Sequence, residues 1–139
     1  MKYLISILFI LLSIVNAQTA FTMNNMKVYY KDTIDDLSGS ISYCSDGYYV
    51  NDVKGVMMGQ PFHQYQMGTW SYDTAKDQLT QTMLIAKDID QGTIIEDYRA
   101  NPALSTTISN NVQHTFVTGV VNNTTRIVKI ELQPTLDCQ

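Results

Sequence analysis

The chain has 139 residues, with nine basic and thirteen acidic side chains and a formal net charge of −4 at pH 7. It contains no run of basic residues, so nucleic acids and anionic lipid surfaces are poor candidate partners. Catalysis has little support, because no G-x-S-x-G, H-E-x-x-H or P-loop motif occurs and the carboxylates are scattered along predicted turns. We therefore expect a binding or structural protein rather than an enzyme.

The amino terminus has the pattern of a secretory signal peptide. Lys2 precedes an apolar run over 3–15 that is too short to span a bilayer comfortably. Small residues at the −3 and −1 positions predict cleavage after Ala17, and an uncleaved membrane anchor is the less favoured alternative. We expect a signal peptide over 1–17 and one exported domain over 18–139 that is secreted and has no integral membrane segment.

Short segments rich in β-branched and aromatic residues follow one another, separated by turn signals, which is the pattern of an all-β fold. The connections carry residues typical of turns, such as the Ser-Asp-Gly at 45–47. About nine short antiparallel strands in a domain of this size predict a β-sandwich, with a closed barrel as the alternative. In chain order, the clearest predicted strands are 26–31, 40–44, 48–53, 65–72, 78–86, 93–98, 114–121 and 124–132.

The last two predicted strands form a hairpin on the Asn-Asn pair at 122–123, because asparagine tolerates the positive φ that tight turns need. Alternate residues of a strand share a face. His114 therefore falls on the same predicted face as Phe116 and Val120. The pattern indicates that the imidazole of His114 points into the domain.

Two further features are typical of exported proteins. The chain has two cysteines, Cys44 and Cys138, and we expect them to form one disulfide. The chain-entropy description assigns a bridge over so long a loop about 4–5 kcal/mol of stabilisation. Two overlapping N-x-T sequons, at Asn122 and Asn123, predict an exposed turn and a glycosylation site.

The two histidines of the chain suggest a cofactor. His63 lies in an apolar stretch shortly after Met57 and Met58, and His114 lies on a predicted apolar face. Two imidazoles, or one imidazole and one methionine, suffice as axial ligands for six-coordinate haem iron. The alternative, which holds more often, is that the histidine is bonded to backbone or water and the methionines fill the core.

Aromatic residues of one predicted strand form a second constellation. Tyr65, Trp70 and Tyr72 would stack on sugar rings if they were exposed together on a sheet face. If they are buried, they are core residues, because tyrosine and tryptophan suit strands. Core packing is the favoured interpretation for most of them.

The order of several short motifs resembles a DOMON domain, the dopamine β-monooxygenase N-terminal-like module. The similarity covers residues 37–137, and Gln66 stands where the family has an aspartate. The matching segments are GVMMG at 55–59, YQMGTW at 65–70, IIEDY at 94–98, GVVNNTTRIVKIEL at 119–132 and QPTLD at 133–137.

This resemblance implies an extracellular β-sandwich that binds haem b or sugars. In its haem-binding branch a methionine before the Trp-bearing strand and a histidine on a late strand ligate the iron. Carried over, the late ligand is His114 and the early ligand is Met57 or Met58, or His63 if two imidazoles are used. Any electron transfer would need a separate redox partner.

Three functions remain as hypotheses. The first is a secreted haem b protein for electron transfer or redox sensing, and the second is a carbohydrate-binding module with a polysaccharide partner and no cofactor. The third is a structural or adhesion protein of the cell surface, stabilised by its disulfide and glycan.

Overall fold

The computed structural model of the chain describes residues 21–32, 35–118, 120–121 and 124–134. The elements follow in the order β1 (Met26–Asp32), β2 (Leu37–Tyr43), β3 (Tyr48–Met57), β4 (Gln60–Asp73), β5 (Gln78–Asp88), β6 (Thr93–Asp97), a 3-10 helix (Pro102–Ser105), β7 (Thr106–Asn110), α1 (Val112–Thr118), β8 (Val120–Val121) and β9 (Thr124–Leu132). Within this part of the chain no helix is long and apolar enough to cross a membrane.

All pairings between the strands are antiparallel. The sheet has the order β6-β5-β4-β3-β2-β1-β9-β8, and β7 also pairs with β5. β1 to β5 form a meander, while β6 and β7 pair with opposite ends of β5. The all-β prediction is confirmed. Because hydrogen bonds join the nine described strands in one sheet, the two separate layers of the predicted sandwich are not observed among these residues.

One face of the sheet carries the core, and we call it the inner face. In register, Met26 of β1 lies opposite Tyr43 of β2, and Tyr43 lies opposite Tyr49 of β3. These three side chains are buried and pack with Met23 and Leu79, among others. Burial of each such large side chain contributes about 1.5–3 kcal/mol. The rows of alternate residues seen in the sequence thus meet across strands to form the core.

Helix α1 covers the inner face. Its Val112 is buried in the core, and the ring of Phe116 lies 6.2 Å from that of Tyr43, centroid to centroid. Phe21, from the segment before β1, packs at 6.4 Å from Phe116 and 5.8 Å from Tyr72. The helix and this amino-terminal segment together close the inner face at one end of the strands.

The predicted strand over 114–121 is wrong in its first part. Residues Val112–Thr118 form a helix, and only Val120–Val121 pair as a strand. Asn111 has a φ of 55°, which ends β7, and Val112 and Phe116 are one helical turn apart, so both reach the core. The hairpin itself is confirmed, because Val121 pairs with Thr124 across the two-residue connection.

Candidate functional site

A cavity of about 340 Å³ lies between the inner face and α1. Strands β1 to β4 and the helix each contribute to its wall. Its apolar part consists of Val28, Leu37, Ile41, Val53, Phe62 and Phe116. The volume falls in the range of small-molecule pockets, and a largely apolar wall with a few polar groups is typical of them.

Two polar side chains of the wall, Tyr30 and Asn51, are hydrogen-bonded to each other. Tyr30 donates its hydroxyl hydrogen to Asn51 Oδ1 at 3.4 Å, and Asn51 Nδ2 donates to Gln66 Oε1 at 3.4 Å. Both distances exceed the usual 2.7–3.2 Å. Gln64, two residues before Gln66 on the same strand, also lines the cavity. The side-chain amides of Asn51 and Gln64 can each donate a hydrogen bond to a ligand and accept one from it.

Two carboxylates mark one end of the cavity. Asp32 is buried, and its Oδ1 accepts the backbone N–H of Asp35 at 3.5 Å. Asp35 is exposed and also lines the cavity. The sheet places Arg126 of β9 opposite Asp32 in register. With Asp32 and Asp35 in its wall, the cavity is not purely apolar.

Burial raises the pKa of three tyrosines in or against the core of the inner face. Desolvation raises the pKa of Tyr43 far above its ordinary value, with smaller contributions from Tyr49 and Tyr30. Burial raises the pKa of Tyr49 to about 12. The pKa of Tyr72 is also raised to about 12, by burial and then by its hydrogen bond to Asp77. These phenols remain neutral hydrogen-bond donors at physiological pH.

The opposite, outer face of the sheet carries a polar trough. Two hollows of about 400 and 240 Å³ adjoin there and share Ser40 and Asp52. In register, Tyr29 of β1 lies opposite Ser40, Ser40 opposite Asp52, and Asp52 opposite Tyr65 of β4. One cross-strand row thus has an aromatic ring at each end and a hydroxyl and a carboxylate between them.

The structure does not bring the four predicted haem ligands together. His63 lies on the outer face, where its Nε2 is 2.9 Å from Asp52 Oδ1 and its Nδ1 is 3.8 Å from Asp90 Oδ1. His114 lies on α1 with its side chain exposed, so the predicted inward orientation is wrong. The cause is the helix, which replaces the two-residue period of a strand by a period of 3.6.

Met57 is the last residue of β3, and Met58, in the turn to β4, is 96% exposed. Among the described residues that line the inner cavity there is no histidine, methionine or cysteine. The donor set therefore does not fit an axial pair for haem iron, and we derive no chemistry through haem. Within the part of the chain that the structure describes, no group of three side chains that could hold a metal ion occurs.

The predicted sugar platform is divided between the two faces. Tyr65 lies on the outer face and lines the trough. Trp70 and Tyr72 pack against the core on the inner face. Trp70 Nε1 donates to the carbonyl oxygen of Cys44 at 3.0 Å, and its ring stands edge-on to Tyr43. Core packing, the favoured interpretation of these two residues, is confirmed.

Several other predictions fall on parts of the chain outside the described residues. These are the signal peptide over 1–17, the sequons at Asn122 and Asn123, and Cys138. Cys44 is fully buried at the end of β2. Its pairing with Cys138 stays a prediction.

Comparison with known proteins gives no relative. No protein-family description, no curated protein and no solved structure matches the chain. The resemblance to DOMON domains stays a prediction, and function must be inferred from the cavity and the trough.

Sequence reasoning missed both of these sites. Their walls come from residues far apart in the chain, such as Val28, Phe62 and Phe116. The sequence did contain one signal for the cavity, the alternation of side chains along each strand. By this alternation Val28 and Tyr30 share a face of β1, and Ile41 and Tyr43 share a face of β2. What the sequence did not supply was the helix that turns one face into a cavity.

Proposed function

We propose that the protein is an exported binding protein that holds a small, largely apolar molecule with one or more hydrogen-bonding groups in the inner cavity. The observation that carries the proposal is the composition of the cavity wall. Apolar side chains from four strands and α1 surround about 340 Å³. In the same wall, Asn51 and Gln64 present side-chain amides that can both donate and accept hydrogen bonds.

The chemistry of the wall defines the ligand class. Apolar contact with Val28, Ile41 and Phe116 favours a hydrocarbon or aromatic body, since burial contributes about 25 cal/mol per Å². Asn51 can both donate and accept, so it suits a hydroxyl, carbonyl or amide on the ligand. The exposed carboxylate of Asp35 in the wall disfavours an anionic group beside it.

The test is a fluorescence titration with N-phenyl-1-naphthylamine, a neutral probe that brightens in apolar surroundings. Val53→Phe places extra volume in the cavity and should weaken binding at least about tenfold. Val56→Phe is the matched control, because Val56 lies on the same strand but is 44% exposed. Absence of binding by the wild-type chain, or equal binding by the two variants, would refute the proposal.

A second candidate function, carbohydrate binding, is favoured by the trough on the outer face. Tyr29 and Tyr65 end a row that spans about 14 Å, the width of three strand spacings. Between the rings, Ser40 and Asp52 offer partners for sugar hydroxyls. Lys54 and Asp52 carry opposite charges in the trough, so an uncharged saccharide is the better match.

Electrophoresis through gels containing dextran, galactomannan or β-glucan tests this second function. Retardation by at least one polymer is expected, and Tyr65→Ala should abolish it because the ring supplies the stacking surface. Tyr48→Ala is the control, since Tyr48 is also exposed on β3 but lies outside the trough. Retardation that persists in Tyr65→Ala, or occurs in no gel, would exclude the trough as a sugar site.

A further inference from the structure

The end of β3 and the turn that follows it expose three consecutive apolar residues to solvent. Val56, Met57 and Met58 are 44%, 41% and 96% exposed. We call these three residues the hairpin tip. Exposed apolar residues are ordinary when scattered, but these three are consecutive in the chain at the end of the β3–β4 hairpin.

The backbone at the tip shows that a methionine there is unusual. Met58 has a φ of 52°, a left-handed conformation that favours glycine, asparagine and aspartate. The other described non-glycine residues of positive φ are all Asn or Asp: Asn25, Asp36, Asp77 and Asn111. The chain thus uses the expected residue at every such position except the tip. The turn does not require an apolar residue at position 58, yet a methionine side chain stands there 96% exposed.

The hairpin tip extends from the sheet beside the inner cavity. Leu37 lies opposite Gly55 in register, and Gly55 lies opposite Phe62. Leu37 and Phe62 both line the cavity. Val56, Met57 and Met58 follow directly, so the tip begins where the cavity wall ends.

The charges around the tip restrict what it can contact. Residues 55–62 contain no charged side chain, and Lys54 and His63 flank them as a register pair. A lysine set back from an apolar tip can extend its ammonium to the polar layer of a membrane. The exposed Asp35 and Asp36 lie at the same end of the sheet, which disfavours anionic headgroups.

The shape of the tip favours a lipid surface over a protein. A stable protein interface buries about 800 Å² on each partner. The three side chains of the hairpin tip have much less surface to bury. Insertion into a lipid layer needs no complementary surface, only exposed apolar side chains.

We propose that the hairpin tip inserts into a lipid surface with zwitterionic headgroups. This insertion does not rest on the proposed function.

The test is cosedimentation with phosphatidylcholine vesicles. Met57→Ser combined with Met58→Asn should weaken association at least about tenfold, because two apolar side chains are lost. Asparagine suits the φ of position 58, so this variant should fold at least as well as the wild type. Leu132→Asn is the control, since Leu132 is 67% exposed but pairs with Met26 at the opposite end of the sheet.

The outcomes separate the two proposals. Vesicle association that is lost in the tip variant and retained in Leu132→Asn supports insertion, whatever the cavity binds. The tip variant should still bind N-phenyl-1-naphthylamine in solution without vesicles. No association of the wild type, association unaffected by the tip variant, or a tip-dependent dimer in place of vesicle binding would overturn the insertion.

Discussion

Asp77 accepts the backbone N–H of Gln113 on its Oδ1 at 2.9 Å, across 36 residues of sequence. The same oxygen accepts the Tyr72 hydroxyl at 2.6 Å, and the carbonyl oxygen of Asp77 accepts the N–H of Val112 at 3.4 Å. The turn between β4 and β5 thus supplies the hydrogen-bond acceptors for the first turn of α1. This relationship fixes the helix over the inner cavity.

Asp77→Ala should therefore destabilise the protein. Loss of the acceptor for an N-terminal helix amide, together with the left-handed φ of 49° at this position, should lower the free energy of unfolding by about 1–3 kcal/mol. Urea denaturation measures the change. Asp77→Asn is the control, because asparagine tolerates this φ and keeps an oxygen acceptor. Equal stability of the alanine variant and the wild type would show that the helix does not depend on this turn.

Gly68→Ala should be more severe, because the site has no room for a methyl group. A Cβ at position 68 would overlap the carbonyl oxygen of Thr82 and lie 2.6 Å from Cε1 of Tyr49. Overpacking of this kind costs about 1–3 kcal/mol or more. Thermal unfolding followed by circular dichroism tests the loss. Thr69→Ala, at the exposed next position, should leave the melting temperature nearly unchanged.

The strands were the predictable part of the fold. Seven of the eight predicted strands correspond to observed ones, because alternation such as that of Val28, Tyr30 and Asp32 is a local signal. The short strand β7 is absent from the predicted strands, because Pro102 and the Asn110-Asn111 pair are typical of irregular structure. Its residues pair with β5 through contacts that no local pattern specifies.

The helix was missed because two periods compete in the same segment. His114, Phe116 and Thr118 alternate as a strand would, while Val112 and Phe116 have helical spacing. The acceptor on Asp77 lies 36 residues away and favours the helix. Tertiary contacts therefore decided the conformation of a short segment with weak local preference.

The division of the aromatic platform could have been predicted from the sequence. Tyr65 and Trp70 are five positions apart, an odd number, so an extended strand places them on opposite faces. Trp70 and Tyr72, two positions apart, share the inner face with the core. The β-bulge between Met67 and Gly68 interrupts the β4–β5 pairing without returning Tyr65 to the inner face.

Stability should fall in alkaline solution as buried tyrosines ionise. A pKa raised from 10.0 to about 12 for Tyr49 means that the folded state retains a proton that the unfolded state loses. The stability that the protonated Tyr49 phenol contributes to the folded state is fully present below pH 10. It is lost as the pH rises through about 12. The free energy of unfolding should therefore decrease between pH 10 and 12.

Tyr49→Phe isolates this contribution. Without the phenol, the decrease between pH 10 and 12 should be shallower by up to about 1.4 kcal/mol per pH unit, the limit for one proton. Urea denaturation at several pH values measures the slope. Below pH 9 the variant and the wild type should have parallel pH dependence. An unchanged alkaline slope would show that Tyr49 does not ionise during unfolding.

Hydrogen peroxide should distinguish the methionines by their exposure. Met58 is 96% exposed and should form the sulfoxide first, followed by Met57 at 41%. Met23 and Met26, each 2% exposed, should react only when the protein unfolds. Peptide mapping by mass spectrometry after increasing times of peroxide treatment gives the order in which the methionines are oxidised. A sample in urea is the control for their intrinsic reactivity. Because Met57 and Met58 are exposed, oxidation confined to them should leave the unfolding free energy within about 0.5 kcal/mol of its original value. The same oxidation should abolish vesicle association, and protein that is oxidised at the hairpin tip yet still sediments with vesicles would contradict the lipid-binding role of the tip.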